Sequence, residues 1–221
     1  GATMKALMLL VAARLLLAPP APQETQAVLG AHYPALSPDA SRICFSYQGD
    51  LWVAPTSGGS PTRLTVHRAY DAYPRWSPDG RWIAFSSNRE GNLDVYVIPS
   101  SGGEARQITF HSADDVVQDW SPDGTALLFA SIRDGRYTEL WTVALKDGRL
   151  RRLTNDRSPC RYGAFSPDGS SIVYARGPSA WWRPKYRGSQ NPEIYRLALG
   201  GGSPSRLTRY DGFDSWPCFT Q

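Results

Sequence analysis

Two sets of residues carry side chains from which a site could be built. Between Trp181 and Arg187, the rings of Trp181, Trp182 and Tyr186 are interspersed with Arg183, Lys185 and Arg187, and no acid stands between Arg176 and Glu193. Cations beside exposed rings can stack and donate hydrogen bonds together, which suits a carboxylate such as a peptide C-terminus. The same composition suits a long loop that folds back and buries its tryptophans, and the residues alone leave both roles open. The second set pairs His67 with Asp71 and His111 with Asp115, with Asp214 at the equivalent place further on. Imidazoles and carboxylates brought to one axis could hold a metal ion. The equivalent histidine positions later in the chain are Asp156 and Tyr210, so no metal or other cofactor is expected. Asp71, Asp115 and Asp214 each stand five residues before a repeated aromatic, where a carboxylate accepting turn N–H groups is the expected role. No catalytic residue is assigned: there is no Gly-x-Ser-x-Gly elbow, and Gly200-Gly201-Gly202 leads into a strand rather than a helix.

The elements that would position these residues are written in a repeat. An aromatic or Leu followed by Ser or Thr, usually continuing Pro-Asp-Gly, occurs at Leu36-Ser37, Trp76-Ser77, Trp120-Ser121, Phe165-Ser166 and Phe219-Thr220. The Ser/Thr positions are 40, 44, 45 and 54 residues apart, a period that belongs to radial β-repeats. Each phrase is a turn, because Pro presets φ and Asp can bond its own backbone. A short apolar strand follows, such as Ile83-Ala84-Phe85. Next comes a strand that opens on an acid with an aromatic two residues later: Asp50 and Trp52, Asp94 and Tyr96, Glu139 and Trp141, Glu193 and Tyr195. A Gly-rich turn then returns the chain into Arg63-Leu64-Thr65, Gln107-Ile108-Thr109, Arg152-Leu153-Thr154 and Arg206-Leu207-Thr208.

Four strands per repeat cannot bury both faces alone, whereas blades stacked around an axis bury each sheet against the next. The expected fold is therefore all-β, a β-propeller of four-stranded antiparallel blades: four blades and the first strand of a fifth, read as a fragment of a six-bladed ring. A β-sandwich has no reason to keep acid, aromatic and Leu-Thr in register through four repeats. Antiparallel geometry also sorts the loops. The blade-to-blade connections, with His67, Asp71, His111, Asp115 and Asp214, share a face with the loops between second and third strands. Those loops lengthen from 5 residues (Phe45 to Asp50) to 19 (Tyr174 to Glu193), so the aromatic and basic run is an insertion in blade four.

Residues 1–27 read as a signal peptide and N-terminal extension: Met4-Lys5, then an apolar run interrupted by Arg14, then a small-residue exit near Ala27. The run is too short to span a bilayer. The expectation is export to the periplasm, with an uncleaved N-terminal anchor as the alternative, and no stable membrane insertion once the signal is removed. Residues 28–221 form the propeller. The formal net charge is +4, and the charges are interspersed without a Lys/Arg block, which argues against nucleic acid as a partner. Cys44 falls in a core slot shared with Ala84, Leu128 and Val173, and no disulfide is expected with Cys160 or Cys218. The sequence stops inside its fifth turn phrase, which reads as a fragment.

The segments Ser46 to Trp52, Thr65 to Trp76, Phe110 to Asp115, Trp181 to Ser189 and Tyr210 to Pro217 resemble the N-terminal propeller of bacterial tricorn-type serine proteases. The turn phrase by itself is shared with TolB propellers, prolyl oligopeptidase-type peptidases and some amidohydrolases. The resemblance implies a longer polypeptide with a second propeller, a PDZ-like domain and a C-terminal serine peptidase domain, whose catalytic residues have no counterpart here. It implies a propeller that admits or filters peptides or unfolded polypeptide, with the remaining domains of the same polypeptide as partners. The alternatives are a TolB-like protein-binding scaffold without catalysis and the propeller prefix of an amidohydrolase. Ala40 replaces the usual Gly of the first turn and is expected to loosen it.

Overall fold

A computed structural model describes residues 30–178, 191–209 and 212–219. Blade one contains β1 (His32–Leu36), β2 (Arg42–Tyr47), β3 (Asp50–Pro55) and β4 (Thr62–Arg63); blade two contains β5 (Asp71–Trp76), β6 (Trp82–Ser87), β7 (Asp94–Pro99) and β8 (Arg106–Gln107). Blade three contains β9 (Asp115–Trp120), β10 (Ala126–Ser131), β11 (Glu139–Ala144) and β12 (Leu150–Arg152); blade four contains β13 (Cys160–Phe165), β14 (Ser171–Arg176), β15 (Glu193–Ala198) and β16 (Ser205–Arg206). Each blade is an antiparallel meander in sequence order.

The turn phrase is closed by its serine. Ser37, Ser77, Ser121 and Ser166 donate Oγ–H to the aspartate two residues on, at 2.5–2.6 Å. Each Oγ also accepts the N–H five residues on, at 2.9–3.0 Å. The aspartate in turn accepts the N–H two residues beyond itself. These bonds hold Asp39, Asp79 and Asp168 well below the usual carboxylate range, at about 2, and depress Asp123 in the same direction. Ala40 does not loosen its turn: it adopts φ 55° where Gly80, Gly124 and Gly169 adopt 68–69°, and the first turn keeps the same bonds. The serine and aspartate bonds fix the geometry, and the alanine carries the strain.

A second lock explains why acid and Leu-Thr repeat together. Thr65, Thr109, Thr154 and Thr208 accept, on Oγ1, the N–H of the residue after the acid, at 2.9–3.0 Å. Their hydroxyls donate back to Asp50, Asp94, Glu139 and Glu193. The same acids receive Arg63, Gln107, Arg152 and Arg206 from the short outer strand. One carboxylate thus ties the third strand to the fourth, which is only two or three residues long and lacks the ladder to hold itself.

The core lies between blades. Ile83 and Phe85 face blade one with Cys44 and Leu51, while Ala84, Val95 and Val97 face blade three with Val117, Leu127 and Phe129. Leu128, Ala130 and Leu140 then meet Cys160, Ile172 and Tyr174 of blade four. Leu64, Ile108 and Leu153 each close one of these three layers. All three cysteines are free, with Cys44 and Cys160 buried and Cys218 exposed. Residues 212–219, the described part of the fifth phrase, join no ladder.

Candidate functional site

The connections and the second-to-third strand loops do share one face. Asn88 accepts the Tyr70 N–H at 2.7 Å, Asp114 accepts the Leu93 N–H at 2.9 Å, and Arg176 pairs with Asp156 at 2.6 Å. On that face His67 and His111 are exposed, with the Nδ1 of each engaged locally. Each accepts on Nδ1 the backbone N–H two residues on, at 3.0 Å, and donates its own backbone N–H to the third-strand acid.

Asp71 and Asp115 are not turn caps. Both are fully buried, and each pairs through Oδ2 with an arginine of its own blade's second-to-third loop, Arg89 at 2.8 Å and Arg133 respectively. Those guanidinium groups lie over Phe85 and Tyr96 and over Phe129 and Trp141. Strand pairing draws the carboxylate inward, and the arginine follows it over the aromatic layer, so these residues fasten the top of blades two and three. Asp214 differs, since its N–H donates to Pro192 O at 3.2 Å and its Oδ2 has no partner. Trp181, Trp182, Arg183, Lys185, Tyr186 and Arg187 lie outside the described residues. The base of their insertion is on the same face, where Gly177 N–H donates to Pro159 O at 2.9 Å.

The innermost strands carry residues that the repeat had not singled out. β1, β5, β9 and β13 each break register by a bulge near mid-strand. Tyr33, Tyr73 and Tyr162 sit at the bulge with φ of 53–56°, and Trp216 holds φ 52° at the equivalent place in the fifth phrase. In blade three the equivalent residue is the buried Val117, which stays paired with Phe129, and the register break falls at Gln118. The Tyr33 and Tyr73 rings lie 4.1 Å apart, and those of Tyr162 and Trp216 lie 4.9 Å apart. Burial raises the Tyr73 phenol, and the neighbouring phenols Tyr33, Tyr70 and Tyr162 push it the same way. The signal was present: each ring stands three residues before the turn-phrase aromatic or Leu and is followed by Pro or Gly.

One step further along, side chains stitch blade to blade. Trp76 Nε1 donates to Ala35 O at 3.0 Å and Trp120 Nε1 donates to Arg75 O at 2.9 Å. Phe165 has no indole N–H, and there Asp119 accepts the Phe165 backbone N–H at 2.8 Å. Arg75 donates Nε–H to Gln118 O at 2.6 Å. Burial raises the Asp119 carboxyl and lowers the Arg75 guanidinium, each partly opposed by the other's charge. A cleft of about 440 Å³ opens here, lined by Arg75, Asp119, Tyr162, Trp216 and Cys218 among others.

Residues 31–221 match the model of the tricorn protease N-terminal beta propeller domain. The chain belongs to that family. It is 34% identical over 58 residues to tricorn protease homolog 1 of Streptomyces coelicolor, covering 26% of this chain and 5% of the homolog. In structure it is similar to TolB from Acinetobacter baumannii, with a TM-score of 0.68 and 25% identity over 83% of this chain and 45% of that one. It is also similar to the tricorn protease, with a TM-score of 0.70 and 22% identity over 86% of this chain and 19% of that one. The chain spans 5–24% of the length of the curated relatives it matches.

Proposed function

We propose that this propeller serves an exported tricorn-type serine peptidase, admitting or filtering peptide substrates for a catalytic domain elsewhere in the same polypeptide. The observation that carries the reading is the family match across residues 31–221. The blades support it by the role of their polar residues. The turn serines, the third-strand acids and the two connection histidines hold backbone, and Asp71 and Asp115 hold Arg89 and Arg133 of their own blades, which is scaffold work. Peptides or unfolded polypeptide would meet the face that bears the connections and the insertion. The basic groups Arg183, Lys185 and Arg187 would receive a carboxylate there. Export rests on the leader-like residues 1–27; among the described residues no helix is long and apolar enough to cross a membrane.

The test compares residues 1–221 with a polypeptide extended beyond Gln221. The shorter form should leave peptide and ester substrates intact while the longer form cleaves peptides, and replacing Trp181, Trp182 and Arg187 in the longer form should raise KM with little change in kcat. Turnover by residues 1–221 that a single Ser or His substitution abolishes would overturn the reading. A protein-binding scaffold without catalysis is the second reading, supported by the fold likeness to TolB. It would gain if no peptidase domain follows Gln221.

A further inference from the structure

Three tyrosines and a tryptophan hold left-handed backbone at one repeated sequence position, Tyr33, Tyr73 and Tyr162 at strand bulges and Trp216 three residues before Phe219. Such a conformation costs an L-residue on the order of 1 kcal/mol, and glycine would adopt it without that cost. Packing accounts for only part of the choice: Tyr73 and Tyr162 rest half-buried against neighbouring cores, whereas Tyr33 is 37% exposed and Trp216 62% exposed. Their rings meet in pairs on the innermost strands, and two of them border the 440 Å³ cleft, a volume within the roughly 300–1,000 Å³ of ligand sites. The charged groups beside that cleft are engaged: Arg75 donates to Gln118 O and Pro74 O, and Asp119 accepts from Trp120 and Phe165 N–H. What is offered to a ligand is therefore aromatic faces and phenolic hydroxyls, without free charge from these two residues.

We propose that Tyr33, Tyr73, Tyr162 and Trp216 form a binding surface on the innermost strands for uncharged, extended polypeptide presenting proline or aromatic side chains. Rings of this kind grip prolyl and aromatic groups by stacking, and phenolic hydroxyls can donate to the carbonyls of a strand-like or polyproline backbone that has no internal hydrogen bonds. At Tyr33, Tyr73 and Tyr162 the bulge interrupts the ladder, so the strain there maintains an arrangement that a regular strand would not present. The proposal rests on the peptide-admitting role above and names the side chains selected.

The experiment uses residues 1–221 and follows tryptophan fluorescence and calorimetry with neutral peptides rich in Pro and Tyr, Gly-Ser peptides of equal length, Lys-rich peptides and a neutral oligosaccharide. The Pro/Tyr peptides should bind roughly tenfold more tightly than the Gly-Ser peptides. Tyr73→Gly and Tyr162→Gly should weaken that binding by about tenfold, read under conditions where both variants remain folded, because loss of rings packed on the cores lowers the unfolding midpoint even as the backbone is relieved. Tyr73→Phe, which keeps the ring, separates stacking from the hydroxyl and should retain most of the affinity. Equal binding of all peptides, unchanged in the glycine variants, would overturn the proposal and leave the peptide-admitting role standing. Binding of the oligosaccharide in place of the peptides would overturn the peptide assignment, and binding of no peptide at all would remove both.

Discussion

At the scale of single residues, the polar side chains of the repeat act as fasteners whose strength depends on charge and backbone conformation. Ala40 occupies a glycine position at φ 55°. Ala40→Gly should stabilise the chain by about 0.5–1 kcal/mol, since relief of the left-handed strain exceeds the entropy that glycine adds to the unfolded chain. Urea unfolding should show a higher midpoint at unchanged slope. The turn aspartates make a pH prediction. Their folded pKa values are depressed, to about 2 for Asp39, Asp79 and Asp168. Their stabilisation is thus complete above the ordinary aspartate value of about 4 and is lost as pH falls through about 2. Denaturation midpoints measured across that window should fall. Changing the four aspartates to Asn should flatten the fall, and added salt should reduce it only in part, because hydrogen bonds dominate these shifts.

At the scale of elements, blade four shows how a meander tolerates a long insertion. The two ends of the insertion are pinched at Gly177, whose φ is 144° and where a Cβ would meet Pro192 Cα at 2.6 Å and Asn191 O at 3.0 Å. Backbone cannot swing aside as a side-chain tip can. Gly177→Ala should destabilise the chain by about 2–5 kcal/mol through combined overlap and strain. Hydrogen exchange should quicken first in β14 and β15, with β6 and β7 unaffected. Equal loss of protection in all four blades would show that the insertion base is not a local feature.

At the scale of the whole molecule, stability resides between sheets. Ile108 lies in the layer between blades two and three. Its repeat equivalent Leu207 is 54% exposed. In a polypeptide of residues 1–221, Ile108→Ala should cost about 1–3 kcal/mol and Leu207→Ala less than about 0.5 kcal/mol. Chemical denaturation decides this, and equal losses would mean that Leu207 is covered. In a longer polypeptide a blade stacked on blade four would raise the Leu207→Ala cost toward that of Ile108→Ala. The layered core also favours folding in which each blade gains stability from its neighbours.

Much of this was legible in the residues. The turn phrase, the acid with its aromatic and the Leu-Thr that closes each repeat specify strands, order and radial period, because each is a local hydrogen-bonding pattern repeated at one register. The common face of the connections and the base of the insertion followed from antiparallel strand direction alone. The roles of individual carboxylates did not follow. Asp71 and Asp115 resemble turn caps in sequence, yet strand pairing buries them and brings in Arg89 and Arg133 from 18 residues away. The ring residues Tyr33, Tyr73, Tyr162 and Trp216 show a pattern in the sequence, but only the folded chain gives them their left-handed backbone and sets their rings in pairs. Local chemistry is written along the chain, whereas a surface assembled from several innermost strands exists only once those strands are packed.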